Sequence, residues 1–72
     1  MFLCGLGNDE HPTAINIANA RTIVLVADPG GDWITVEWSD AEASRSVDAK
    51  DAVICTPQRV AAVLMSLKER NP

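Results

Sequence analysis

The chain holds one histidine, two cysteines and six basic residues among 72, and each scarcity narrows what it can do. His11 is the sole imidazole, so a nucleophile–base pair would have to join it to Cys4 or Cys55. Both cysteines sit in apolar runs, "FLCGL" and "VICTP", where burial raises a thiol pKa rather than lowering it. The sequence therefore predicts no catalytic residue. In "NDEHP", Asp9, Glu10 and His11 are all metal-ligand types. Three adjacent residues of extended chain point apart, however, and structural zinc sites take four ligands at wider spacing. No metal and no cofactor are expected, and the segment reads as a solvated polar turn. "DPGGD" (28–32) has paired glycines but not the longer spacing, lysine and following helix of a phosphate-binding loop.

Basic residues are also unevenly placed. Residues 1–56 carry three bases against nine acids, and residues 57–72 carry three bases against one acid, so an acidic body ends in a mildly basic tail. Binding a duplex requires clustered Lys and Arg that displace phosphate counterions, and an acidic body repels it. Nucleic acid is thus an unexpected partner. In the alternative reading, a nucleic-acid-associated regulator, the contacts would be Arg59, Lys68 and Arg70. The uncharged opening "MFLCGLGN" has no basic residue ahead of it and Asp9 and Glu10 directly behind it, which fits neither a signal peptide nor a spanning helix. The expectation is a cytoplasmic protein with no membrane partner, its two thiols reduced and buried.

What is present is strand patterning. The composition, 47% apolar and 22% charged, is that of a folding chain, and 72 residues make one small domain. A domain this size buries only about 60% of its unfolded surface. "MFLCGL" (1–6) is a short apolar run closed by a turn, and residues 13–18 alternate with Ile15 and Ile17 on one face. After a bend at Asn19-Ala20, residues 21–27 are apolar on both faces, the mark of a strand that is central or meets another subunit. "DPGGD" joins it as a hairpin to "WITVEW" (33–38), which sets Ile34, Val36 and Trp38 against Trp33, Thr35 and Glu37. A polar turn (39–42), a weak edge strand (43–47) and a short return (52–55) lead to Thr56-Pro57, which opens a helix. That helix carries Val60, Val63, Leu64 and Leu67 on one stripe. The fold expected is α+β and mostly β, an antiparallel meander or partly closed barrel of four to five strands with one C-terminal helix. Its expected core holds Ile15, Ile17, Ile23, Leu25, Ile34, Val36, Trp38, Val60, Leu64 and Leu67.

The opening "MFLCGL", the strand "INIANARTI", an acid-Pro loop, "ITVEW" and a downstream Val before a terminal helix resemble the pattern of small FlbD-type flagellar-operon proteins and related phage reading frames. The glycine usual after the third strand of that pattern is absent from "SDAEAS", and the helix here is extended. The resemblance implies a β-meander with a C-terminal helix, and a small accessory or regulatory protein without catalytic residues.

Trp33 falls on the face opposite Trp38, together with Val24 and Val26. Two readings follow. Either Trp33 folds over the Pro-Gly-Gly turn as a lid, or Val24, Val26 and Trp33 form a contact surface. The second makes the chain a protein-interaction module whose partner is another protein or a second copy, a homodimer in which the patch meets itself.

Overall fold

The computed structural model describes residues 1–39 and 44–70. Among them are six strands, β1 (Phe2–Leu6), β2 (Pro12–Asn16), β3 (Ala20–Asp28), β4 (Gly31–Trp38), β5 (Arg45–Asp48) and β6 (Val53–Cys55), followed by helix α1 (Val60–Arg70). The strands form two antiparallel sheets of three, ordered β2-β1-β6 and β3-β4-β5. The architecture is α+β and mostly β, with one C-terminal helix, and its six strands fall on the six segments read from the sequence, one more than the expected total of four to five. The second sheet is a meander. The first is closed by β6, which returns across the whole chain to pair with β1. Of the expected turn at 39–42 and strand at 43–47, residues 40–43 lie outside the described residues.

Period-two alternation assigns each face of the first sheet a different cover. Leu3 and Ile15 are opposite each other in the β1–β2 ladder and face the second sheet, where they form a buried cluster with Val36 and Val47. Cys4 and Ala14, the next pair along, face α1 and pack in a second cluster with Cys55 and Leu67. Val60, Val63 and Leu64 line that helix interface, so the stripe read from the sequence is the stripe that packs. Trp38, Ile34 and Ile17 pack half-buried around the first cluster. The molecule is thus layered as helix, first sheet, second sheet.

Two local expectations change. Thr56 is extended as an N-cap should be, but its side chain caps nothing, and residues Pro57–Arg59 form a 3-10 turn ahead of α1. Strand 21–27 is not central: β3 is the edge of its sheet, and Ile23 and Leu25, expected in the core, are exposed. The reason is that the single helix covers the first sheet, whereas the inner face of the second sheet is covered along β4 and β5 and, on β3, at its first residue Ala20. Strand β1 reaches as far as β5, and β3 lies beyond it.

Candidate interaction surface

The β3–β4 hairpin is built by its turn. Asp28 and Gly31 close a two-residue Pro29-Gly30 connection. The Asp28 carboxylate oxygen accepts the Gly30 N–H at 2.8 Å, and Gly31 takes φ +140°, a region that favours glycine. From this turn the register runs Val26 opposite Trp33, Leu25 opposite Ile34, Val24 opposite Thr35 and Ile23 opposite Val36. Val24, Val26 and Trp33 therefore share one face, as the sequence predicts.

Strand β3 exposes apolar side chains on both faces at once. Val24 and Val26 are 42% and 43% exposed, and Ile23 and Leu25 on the other face are 47% and 66% exposed. Trp33 is half-buried. Nothing comes within 4 Å of where a Gly31 Cβ would be, and at Gly30 the nearest group is the Asp28 carboxylate. Trp33 lines an open groove of about 630 Å³ together with Val26, Thr35, Ser46, Arg45 and Asp9. Thr35 and Ser46 share a hydroxyl hydrogen bond of 2.8 Å on the groove wall. The groove joins an apolar end at Val26 and Trp33 to a polar end at the β1–β2 turn, a combination suited to side chains of a bound segment.

The remaining marked residues are dispersed. The "NDEHP" segment forms the β1–β2 turn, in which the Asp9 carboxylate accepts the His11 N–H at 3.1 Å and Thr13 Oγ1 donates to the His11 carbonyl at 3.0 Å. Cys4 and Cys55 are both buried and unbridged, with their sulfurs 3.6 Å apart. Burial first, and the neighbouring Cys55 second, push the Cys4 thiol up to about 11. Arg70 forms an exposed ion pair with Asp51 at 3.7 Å, and Arg59 lines the same shallow groove. Lys68, two residues before Arg70, points about 200° away around the helix, so the three cations do not converge.

Sequence reasoning missed Ile23 and Leu25 as surface residues. The signal was present in a strand apolar on both faces. No family model, curated protein or solved structure matches the chain. Among the described residues, no helix is long and apolar enough to cross a membrane.

Proposed function

We propose that the chain is a non-enzymatic, cytoplasmic protein-interaction module whose binding element is β3 with its neighbour β4. One observation carries this reading: a nine-residue edge strand exposes four large apolar side chains, two on each face. Natural edge strands are shortened, bulged, covered or charged, because an open edge templates pairing with another chain. Here the only charges on the strand are near its ends, at Arg21 and Asp28, its one register shift lies at its start between Ala20 and Thr22, and no proline interrupts its middle. An extended segment added to such an edge gains backbone hydrogen bonds along its length, and pockets beside the strand read its alternate side chains. The groove at Val26 and Trp33 is one such pocket. This is the kind of accessory role that the FlbD-type resemblance implies.

Size-exclusion of extract from cells that carry the chain naturally tests the reading. The wild type should elute above its 7.7 kDa monomer mass. A Leu25→Lys variant with an unchanged far-UV spectrum should return to the monomer position. Wild-type chain at the monomer position, both in extract and when pure and concentrated, would refute the reading.

A further inference from the structure

We propose that Cys4 and Cys55 form a redox latch beneath α1, a reversible disulfide whose closure releases the helix. Both thiols are free and buried, and their sulfurs stand 3.6 Å apart. One element covers them: Leu67, with Val60, Val63 and Leu64 around it, packs on the pair. The two cysteines are 51 positions apart. A bond between them therefore closes a ring that runs from β1 to β6 and leaves α1 outside, joined to the ring through residues 56–59.

The ladder decides what kind of bond this is. Phe2 is opposite Cys55 and Cys4 is opposite Val53 in the β1–β6 pairing, so the cysteines are diagonal neighbours on one face. Diagonal neighbours have Cα atoms about 7 to 8 Å apart, whereas a relaxed disulfide spans roughly 4.4 to 6.8 Å. Closing the bond consequently draws β1 and β6 along each other. Only three residue pairs hold β6 in register, so β6 is the strand that shifts, and Cys55, part of the floor under Leu67, shifts with it. The bond and the seated helix thus oppose each other. A disulfide made against the native register is also readily reduced, as regulatory disulfides are and structural ones are not.

Access gives the latch its gate. The thiolate is the attacking species, and burial pushes the Cys4 thiol up to about 11, so the docked chain reacts slowly. Helix α1 has eleven residues and one fully buried side chain, Leu67, and a helix shorter than about 12 to 15 residues is marginal without its packing. Undocking of α1 opens the pair to solvent while the sheets stay folded. One thiolate then attacks a small-molecule disulfide of the glutathione type and expels a thiolate, and the second cysteine, once deprotonated, displaces the other half from the mixed disulfide. The chain gives up two electrons and two protons, which leave as two small-molecule thiols. Excess thiol reverses the exchange. Because the coupling is reciprocal, undocking favours the bond and the bond favours undocking by the same factor.

The test follows the pure full chain in a glutathione redox buffer by mass spectrometry and amide hydrogen exchange. The native monomer should lose two hydrogens on oxidation, and exchange in α1 should then rise about tenfold or more while β4 and β5 stay protected. Added thiol should restore both, and Cys55→Ser should show neither change. Leu67→Ala, which weakens the helix seat, should speed oxidation about tenfold or more. In the wild type, oxidation should outrun exchange of the β4 amides, which reports global unfolding. A pair that bonds in urea but never in the native chain would overturn the latch, as would a bond that leaves exchange in α1 unchanged. Wild-type oxidation no faster than global unfolding would overturn the gate and the proposal with it.

Discussion

Gly5 and Val47 are in such close approach that a Cβ built on Gly5 would stand 3.0 Å from the Val47 Cβ and 3.1 Å from its Cγ2. This is where β1 meets β5 and the two sheets join. Both residues are buried, so neither can yield without moving a strand. Gly5→Ala should destabilise the fold by about 1 to 3 kcal/mol through overpacking. Adding Val47→Ala should cost less than the two single changes together, because it removes the Cγ2 that the new methyl meets at 3.1 Å and gives the remaining Cβ room to shift. Urea denaturation of the three variants checks this; strict additivity would show that the contact is not the cause.

The paired thiols predict a pH dependence. The Cys4 thiol is raised from the ordinary 9.0 to about 11 in the folded chain, chiefly by burial. A raised folded-state value means that its contribution to stability is complete below pH 9 and is lost as pH climbs to about 11, while the unfolded thiol ionises and the folded one does not. The slope of that loss is about 1.4 kcal/mol per pH unit. Denaturation of wild type across this window should fall more steeply than that of Cys4→Ala. Parallel curves would refute the assignment. Both thiols should also alkylate slowly in the native state and quickly in urea.

How much of this was legible depends on what each residue's neighbours reveal. Ile15, Val36 and Leu67 are read correctly because each belongs to an alternation or stripe that local periodicity defines. Val47 is fully buried, yet it ends the polar segment "ASRSV", and it is buried by the cluster of Leu3, Ile15 and Val36 and by the close passage of β1 at Gly5. Cys4 and Cys55 are predicted buried. That they touch depends on β6 crossing back to β1, a pairing 51 positions apart that no local pattern encodes. Ile23 and Leu25 fail in the opposite sense. Their alternation matches that of core residues, but burial needs a covering layer, and the single helix is committed to the other sheet. The candidate surface was half-legible for the same reason: Val24, Val26 and Trp33 share a face by period alone, whereas the free edge beside them is a property of strand order.

The turn that aims β3 and β4 should be sensitive at two positions. Asp28→Ala removes the acceptor of the Gly30 N–H and should cost about 0.5 to 1.5 kcal/mol. Gly31→Ala has space around it, since nothing lies within 4 Å of the added carbon, but φ +140° is unfavourable for an L-residue and should cost about 1 to 3 kcal/mol. Backbone strain without steric contact is the distinguishing feature, so Gly31→Ser should cost as much as Gly31→Ala. A neutral Gly31→Ala would show that the turn relaxes to another geometry.

The last prediction separates core from edge within one molecule. Ile15 is buried in the cluster between the sheets, and truncation to Ala should cost about 2 to 5 kcal/mol at any protein concentration. Leu25 has the same strand patterning but is mostly exposed, so Leu25→Ala in the dilute monomer should change stability by no more than about 0.5 kcal/mol. Association alters only the second case. Where the occupant of the β3 edge is a second copy, binding stabilises the folded chain by mass action, and the wild-type melting temperature rises with concentration while that of Leu25→Ala stays nearly constant. Thermal unfolding at low micromolar and near-millimolar concentration reads both effects. Equal losses for Ile15→Ala and Leu25→Ala in the dilute chain would return β3 to the core. Identical concentration dependence in wild type and Leu25→Ala would remove the β3 edge from any self-assembly of the chain.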